Sequence, residues 1–353
     1  MANITIIGMG LIGTSIGLAL KRSSSKAQKL RILGHDSEPT ATRKAHQMGA
    51  IDSTEWNLVK AVREADLVLI STPVVTVKEV MEQIGPHLPE ECVVTDTGST
   101  KQQILRWAED ILPSNVSFIG GHPMAGKSDS GPASAEADLF KGVPYCILPS
   151  PSAEAWAVKA VVSIAESVGA EPYFVDPQEH DSIVAAVSHI PIALSSALMS
   201  CTSKSPSWFE MARLAAGGYR DSTRLASGDP EMNRDIFTTN SKEIGVWIDR
   251  IITELLEMRR QLNEGDDEGL TRLFVNVYEE RAKWTAGLAK AQTGPNVELP
   301  SSADQMGSLL FGELLTHKSK RLMKQYEQTN KDRRDGKNRF GGKSGKSGKS
   351  GEH

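Results

Sequence analysis

The chain has 353 residues, of which 39% are hydrophobic and 24% are charged, and its formal net charge is −4. This length suits two domains, and the near-balanced charge gives no electrostatic footprint for nucleic acid. The three cysteines lack the spacing of a disulfide framework or of a CxxC metal site. Because no run reads as a membrane span and the chain opens on a strand-like segment rather than a signal peptide, we expect a cytoplasmic protein that binds neither membrane nor nucleic acid.

Residues 4–13, ITIIGMGLIG, combine a short apolar strand with a glycine-rich turn. The three glycines have the GxGxxG spacing of a dinucleotide-binding turn, and a helix-like run follows them. In such a turn the glycines permit the tight bend, the approach of a pyrophosphate and close packing of helix on strand. The free N–H groups at the helix start face the phosphates. The predicted cofactor-binding residues are Gly8, Gly10, Leu11, Ile12 and Gly13. A glycine turn that binds nothing is the alternative.

An acidic residue follows the second predicted strand. Residues 30–34 read as a strand, and Asp36 comes directly after it. Its distance from the glycine motif is that of the acid that hydrogen-bonds a ribose 2′-OH. Since an acid at this place repels a 2′-phosphate, the sequence predicts NAD rather than NADP as the cofactor.

Short apolar runs alternate with amphipathic runs through the first half of the chain. The predicted strands are Ile4–Ile7, Arg31–Leu33, Leu67–Ser71, Val93–Thr95, Ser117–Ile119, Tyr145–Leu148 and Pro172–Val175. This alternation predicts an α/β domain with a mainly parallel sheet. Ligands bind beyond the carboxyl ends of such strands, so Ser71, Thr72 and Pro73 join the predicted cofactor site.

Strand signals stop near residue 176, and helix-compatible segments follow at Asp181–Met199, Asp235–Leu262 and Asp266–Gln292. We therefore expect a Rossmann-type NAD-binding domain over residues 1–175. An all-α domain for substrate binding and dimerisation is expected over residues 176–328. Residues 329–353 are rich in Lys, Arg, Gly and Ser, which predicts a disordered basic tail.

Five motifs of the chain follow one another in the order of a known enzyme family. They are TDTGSTK at 95–101, GGHPMAG at 120–126, SHIP at 188–191, GGYRDSTR at 217–224 and SGDP at 227–230. Over residues 3–255 the chain thus resembles the prephenate/arogenate dehydrogenases of tyrosine biosynthesis. The resemblance implies a homodimer with its active site between a Rossmann domain and a helical domain. It also implies oxidative decarboxylation of prephenate to 4-hydroxyphenylpyruvate, or of arogenate to tyrosine, with hydride transfer to NAD⁺.

The resemblance implies two catalytic residues. His122 of GGHPMAG matches the family histidine that accepts the proton of the ring hydroxyl, a task suited to a group with a pKa near working pH. Ser99 matches the serine that hydrogen-bonds the reacting hydroxyl or that histidine. The alternatives are a packed or surface histidine, and a helix cap in which Ser99 or Thr100 begins a helix over Lys101–Ile111. Lys101 is expected to be solvated and to have no catalytic role.

The resemblance also implies that Arg224 and His189 bind the substrate, and Arg220 is the rival candidate to Arg224. Arg224 can hold a carboxylate with its guanidinium fork, and Arg220 lies one helical turn earlier. Ion pairing with Asp221, Asp229 or Asp235 is the alternative for both arginines. His189 of SHIP matches the family histidine that contacts the substrate side chain; the alternative is a helix histidine beneath Pro191.

Two other functions remain open at this stage. One is a β-hydroxyacid type of dehydrogenase with the same two-domain design, and the other is a sensor that binds NAD without turnover. The histidines His122, His180 and His189 lack HxxxH or HExxH spacing, so no metal site is predicted. Prephenate or arogenate preference, the strictness of NAD over NADP, tyrosine inhibition and the role of the tail stay undecided.

Overall fold

The computed structural model describes residues 2–23, 30–127 and 129–287. The strands are β1 (Ala2–Ile7), β2 (Leu30–His35), β3 (Ser53–Thr54), β4 (Leu67–Ile70), β5 (Val93–Asp96), β6 (Ser117–Pro123), β7 (Pro144–Pro149) and β8 (Glu171–Phe174). The helices are α1 (Leu11–Ser23), α2 (Pro39–Gln47), α3 (Leu58–Val62), α4 (Val74–Ile84), α5 (Gln102–Ile111), α6 (Ala155–Ser167), α7 (Pro177–Val184), α8 (Ile190–Ser203), α9 (Trp208–Leu214), α10 (Gly217–Thr223), α11 (Pro230–Thr239), α12 (Ser241–Glu264) and α13 (Asp267–Thr285). The predicted tail at 329–353 lies outside the described residues.

One sheet of eight strands is formed in the order β3-β2-β1-β4-β5-β6-β7-β8. All neighbouring strands are parallel except β6 and β7, which pair antiparallel. The first six strands have the order of a Rossmann sheet, whose ligand crevice opens where the strand order reverses, between β1 and β4. The predicted fold class, an α/β domain with a mainly parallel sheet followed by a helical domain, is confirmed.

The central strands of the sheet are buried on both faces. In β4 the residues alternate between two cores: Leu67 and Leu69 pack with α1 and α6, whereas Val68 and Ile70 pack with α4 and α5. All four are buried, as expected for a parallel strand covered by helices on both sides. This double packing holds the loops at the carboxyl edge of the sheet in fixed positions.

The single helix predicted over Asp235–Leu262 is wrong, because the chain forms two helices that meet at Asn240. The backbone of Asn240 leaves helical geometry, with φ −123° and ψ 29°. Its side-chain Nδ2 donates to the backbone oxygen of Asp181 at 2.8 Å and to Nδ1 of His189 at 3.2 Å. Because these partners lie far from Asn240 in the sequence, the local hydrophobic pattern does not reveal the break between the two helices.

The predicted helix Asp181–Met199 is present, but it contains a π-helical turn over Ala185–His189 between α7 and α8. The continuous helical segment Pro177–Ser203 has a mean hydropathy of 1.7 over its most apolar window, so by length and composition alone it could cross a membrane. The expectation that no segment has this composition is therefore wrong, because the serines among Ile, Ala and Leu lower the mean hydropathy only slightly. His180 and Asp181 of this segment are buried and hydrogen-bonded within the protein.

The helical part leaves large apolar side chains uncovered. They include Leu194 and Leu198 of α8, Phe209 and Leu214 of α9, Ile252, Leu255 and Leu256 of α12, and Phe274 and Tyr278 of α13. An exposed apolar surface of this extent is typical of a protein interface.

A buried ion pair joins the ends of β5 and β6. Lys101 is fully buried, and its Nζ donates to Oδ2 of Asp96 and to the backbone oxygen of Gly121, the latter at 2.7 Å. Asp96 also accepts from the N–H groups of Gly98 and Gly121, at 2.7 and 3.2 Å. The expectation that Lys101 is solvated is wrong, because its partner is the last residue of a buried strand.

The predicted cap of the following helix is also wrong. Helix α5 begins at Gln102, and neither Ser99 nor Thr100 caps it. Instead the N–H groups of Lys101 and Gln102 donate to the two carboxylate oxygens of Asp181, at 2.8 and 2.9 Å. The cap comes from α7, about 80 residues away, so the sequence around the helix start does not reveal it.

We expect Lys101→Met to lower the free energy of unfolding by about 3–5 kcal/mol, since it leaves the buried Asp96 charge without its partner. Lys78→Met is the matched control: Lys78 and Glu82 form an exposed pair at 3.7 Å, whose loss costs less than about 1 kcal/mol. Urea unfolding measures both. Equal losses for the two variants would contradict a stabilising role for the buried pair.

Candidate active site

The glycine-rich turn lies at the crevice between β1 and β4. Gly8 has φ +95°, and a Cβ there would lie 2.3 Å from the backbone oxygen of Ser71. A Cβ on Gly13 would lie 2.0 Å from the backbone oxygen of Gly8, whereas a Cβ on Gly10 would meet no atom within 4 Å. The first and third glycines are therefore required by packing, and the second faces open space in front of α1. This arrangement fits a pyrophosphate over Gly10 and the N–H groups of Leu11 and Ile12.

Asp36 lies beside this turn, at the end of β2. Its Oδ2 accepts from the N–H of Met9 at 2.6 Å, and its Oδ1 accepts from the N–H of Glu38 at 2.8 Å. The carboxylate is thus held next to the turn, and each oxygen keeps a further lone pair for a ribose hydroxyl.

The segment after β4 completes the crevice opposite the glycine turn. Ser71 touches Gly8 through its backbone, and its Oγ accepts from the Thr97 hydroxyl at 3.1 Å. Thr72 is half-buried, and Pro73 stands exposed at the start of α4. The structure therefore brings the predicted cofactor residues of three strand ends together at one edge of the sheet.

His122 lies near the end of β6, two strands from the crevice, and is 9% exposed. Its Nδ1 is 2.9 Å from Nε2 of His180, and the two rings meet edge to face. Burial lowers the pKa of His122 well below 6.5, and the neighbouring His180, Lys101 and His189 lower it further. The imidazole is therefore neutral at neutral pH and can accept a proton.

His189 belongs to the same cluster. It is 1% exposed, and burial, the largest cause, lowers its pKa to about 4. Asn240 donates to Nδ1 of His189, so the proton of this neutral ring is on Nε2. Within the described residues the buried Nε2 has no hydrogen-bond partner. Because a buried donor without an acceptor is costly, His189 is suited to donate to an oxygen of a ligand.

Sequence reasoning missed three members of this cluster. His180, Asp181 and Asn240 lie between His122, His189 and the start of α5, and each is less than 5% exposed. The sequence signal that could have located them is the His180-Asp181 pair, nine residues before His189. Among the residues that the structure describes, no group of three or more His, Cys, Asp or Glu is arranged to hold a metal ion.

Ser99 lies in the loop between β5 and α5, beside the strand that holds His122. It is half-buried, and no hydrogen bond of its side chain is found within the described residues. The hydroxyl of its neighbour Thr100 is 2.9 Å from that of Thr239, which ties this loop to α11. Ser99 therefore lies at the same sheet edge as His122 without a direct hydrogen bond between them.

Arg220 and Arg224 form no hydrogen bond with the three histidines within the described residues. Both are exposed, in α10 and the turn after it, which is anchored to α8 where the Ser195 hydroxyl donates to the Ser222 backbone oxygen at 2.7 Å. Asp235 pairs with Arg234 at 2.7 Å, and Asp229 caps α11. Over residues 2–23, 30–127 and 129–287 neither arginine forms an ion pair, so the alternative of pairing with Asp221, Asp229 or Asp235 is not observed.

Two family models match the chain: the prephenate dehydrogenase nucleotide-binding domain over residues 16–174, and the prephenate dehydrogenase dimerization domain over residues 176–276. Prephenate dehydrogenase of Bacillus subtilis (strain 168) is 35% identical over 79% of this chain and 75% of its own length. Cyclohexadienyl dehydrogenase of Zymomonas mobilis is 29% identical over 79% of this chain and 94% of its own.

Solved structures match over the same region. Prephenate dehydrogenase from A. aeolicus, in complex with hydroxyphenyl propionate and NAD⁺, has a TM-score of 0.75 and 30% identity, and the match covers 80% of this chain and 98% of that one. Synechocystis arogenate dehydrogenase has a TM-score of 0.68 and 27% identity, with 80% and 99% covered.

We expect Gly10→Ala to weaken NAD⁺ binding and Gly13→Ala to lower the stability of the fold. Because its Cβ enters open space, Gly10→Ala should lose less than about 1 kcal/mol of stability yet weaken dinucleotide binding at least about tenfold, by blocking the pyrophosphate. Gly13→Ala should lower the free energy of unfolding by about 1–3 kcal/mol. Titration calorimetry with NAD⁺ and urea unfolding measure the two effects. Unchanged NAD⁺ affinity in Gly10→Ala would place the dinucleotide elsewhere.

Proposed function

The chain belongs to the prephenate dehydrogenase family, and from this we propose that it catalyses the NAD⁺-dependent oxidative decarboxylation of prephenate to 4-hydroxyphenylpyruvate, in tyrosine biosynthesis. The main support for this proposal is His122, which is buried and neutral and lies at the carboxyl edge of the sheet. The glycine turn at the same edge fits a dinucleotide. A neutral imidazole at this place is suited to remove a proton while a hydride leaves the same carbon.

Each part of the site is assigned one part of the reaction. NAD⁺, when bound over Gly10 and beside Asp36, supplies the hydride acceptor. His122 takes the proton of the hydroxyl on C4 of the ring as the hydride leaves C4. The C1 carboxylate then departs as CO₂, and the electron pair of the broken bond completes the aromatic ring. The C4 oxygen, left as a phenolate, regains a proton from the protonated His122 or from water. To Ser99, at the same edge, we assign a hydrogen bond to the C4 oxygen.

The two substrate carboxylates need cations or donors. Arg224 and Arg220 have guanidinium groups without ion pairs within the described residues, and a guanidinium binds a carboxylate through two parallel hydrogen bonds. Both arginines are exposed in the single chain. We assign Arg224 to a substrate carboxylate and Arg220 to a supporting position one turn away.

Preference for prephenate over arogenate is supported by His189. The two substrates differ in one side-chain group, a keto oxygen in prephenate and an ammonium in arogenate. The neutral Nε2–H of His189 can donate to a keto or carboxylate oxygen, but it has no lone pair for an ammonium. We assign the His189 donor to the keto oxygen, the acceptor that prephenate has and arogenate lacks.

Preference for NAD⁺ over NADP⁺ is supported by Asp36. The hydrogen bonds from Met9 and Glu38 hold its carboxylate beside the turn, where it would accept from a ribose 2′-OH and repel a 2′-phosphate.

We also propose the division into a cofactor domain over residues 1–175 and a helical domain from residue 176. A homodimer through the helical domain is supported by the matched dimerization domain and by the exposed apolar side chains of α8, α12 and α13. The cytoplasmic location stays a prediction.

The experiment that tests this function follows absorbance of the reduced nicotinamide, with prephenate and arogenate each offered with NAD⁺ and with NADP⁺. We expect the largest kcat/KM for prephenate with NAD⁺, because of His189 and Asp36. Turnover of arogenate alone would overturn the substrate assignment. No turnover in any combination, by folded protein that binds NAD⁺, would favour a non-catalytic sensor or another dehydrogenase.

We expect His122→Asn to lower kcat by about 10²–10⁴-fold, the usual contribution of a general base, with NAD⁺ affinity unchanged. Arg224→Ala is the contrasting variant, and it should raise KM for prephenate while leaving kcat within a few-fold. Steady-state kinetics measures both. Near-normal turnover by His122→Asn would exclude the proposed base.

The pH dependence follows from the same histidine. His122 acts in its neutral form, and its lowered pKa keeps it neutral as the pH falls past 6.5. We therefore expect kcat/KM to stay level down through pH 6.5 and to decline only below it, where the histidine gains a proton. A decline centred at or above pH 6.5 would show that His122 titrates as an exposed histidine does.

A further inference from the structure

We propose that His180 and Asp181 are positioning residues that hold His122 with its proton on Nδ1, so that Nε2 is the atom that receives the substrate proton. The inference rests on the proposed function, in which His122 is the base. It goes further because it specifies which nitrogen acts and assigns a role to two buried residues outside the family motifs discussed above.

Asp181 and His180 form a buried contact at the far end from His122. Oδ1 of Asp181 lies 2.8 Å from Nδ1 of His180, and both side chains are at most 1% exposed. An ionised carboxylate only accepts hydrogen bonds. Nδ1 of His180 therefore carries a proton, which it donates to Asp181.

His180 in turn contacts His122. In a neutral imidazole one nitrogen donates and the other accepts, so Nε2 of His180 is an acceptor. Its partner, 2.9 Å away, is Nδ1 of His122, which must then donate. The lone pair of His122 is consequently on Nε2, and no group of the described residues is hydrogen-bonded to that atom. A doubly protonated His180 would reverse this assignment and place the His122 proton on Nε2.

Asp181 is itself held by hydrogen bonds from other parts of the chain. Besides His180, its carboxylate accepts from the N–H groups of Lys101 and Gln102 at the start of α5. Its backbone oxygen accepts from Asn240 at 2.8 Å. The start of α5 thus fixes the carboxylate, which cannot turn away from His180 without losing both of these N–H contacts, and Asn240 fixes the backbone of the same residue.

The result is a continuous series of hydrogen bonds from the start of α5, through Asp181 and His180, to His122 on β6. When Nε2 of His122 takes a proton, the ring becomes an imidazolium whose Nδ1–H is already directed at an acceptor. Such an orienting partner fixes the tautomer and the ring direction of a catalytic histidine. The ionisable groups that face His122 are His180, Lys101 and His189; of these, His180 pairs with Asp181 and Lys101 pairs with Asp96.

The direct test is nitrogen-15 NMR of the full chain with labelled histidine. Long-range proton–nitrogen correlations distinguish the Nδ1–H from the Nε2–H form of each ring, and the His122→Asn spectrum assigns His122 among the eight histidines. We expect the Nδ1–H form for His122. An Nε2–H form would overturn the proposal. This readout needs no turnover, so it stays separate from failure of the proposed function.

The kinetic test uses variants of His180. His180→Phe keeps a ring of similar size but neither nitrogen, and we expect kcat for prephenate to fall about 10²-fold with KM and NAD⁺ affinity within about twofold. His180→Gln places an amide oxygen where Nε2 accepts, and it should recover at least tenfold of that loss. A lower kcat that Gln does not restore, or a loss expressed in KM, would indicate a structural role only.

Val184→Ala is the matched control. Val184 is buried on the same helix, one turn after His180, and it takes no part in the hydrogen bonds to His122. We expect its kcat to match that of the unchanged protein. If His180→Phe had the same kcat as Val184→Ala, His180 would not position the base. If His180→Phe does not fold, the NMR assignment of the unchanged protein still decides the matter.

Discussion

The Asp181 carboxylate is the contact on which the junction between the sheet and the helices depends. It is buried and receives N–H groups from the start of α5 and from the ring of His180. A buried negative charge is tolerated only when donors surround it, and here the donors come from both parts of the chain. The same interaction therefore caps a helix of the sheet domain, attaches the helical domain to it and contacts the histidine cluster.

A second buried charge lies directly behind this junction. Lys101 and Asp96 link β5 to β6, and the Lys101 charge faces His122. Burying such a pair contributes little net stability in itself, yet it orders the carboxyl edge of the sheet and favours the neutral form of the histidine. The packing of the edge and the proton affinity of His122 are consequently properties of one polar cluster.

A feature of this molecule could be predicted from the sequence when the residues that determine it lie close together along the chain. The glycine turn, Asp36 and seven of the eight strands were predictable because their signals lie within about 30 residues and follow from backbone geometry; the two-residue β3 was not among the predicted strands. The burial of Lys101, the cap from Asp181 and the break at Asn240 were not. Each results from a contact between residues far apart in the chain, which leaves no local pattern. His122 and Ser99 were identified through a family resemblance, and their roles stay predictions.

The π-helical turn at Ala185–His189 changes which sides of the helix meet the rest of the protein. At about 100° per residue, the nine steps from His180 to His189 would add up to about two and a half turns, which puts the two rings on opposite sides. The wider turn absorbs one residue, so the remaining eight steps bring both rings within about 80° of each other. A homologue with one residue fewer in this segment would have these eight steps in a regular helix, so its two rings would keep the angle of about 80°. A homologue of the same length without the wider turn would instead rotate α8 by about 100°, and its His189 would leave the side on which His180 contacts His122. The length of this segment and its wider turn therefore have to change together as such chains diverge.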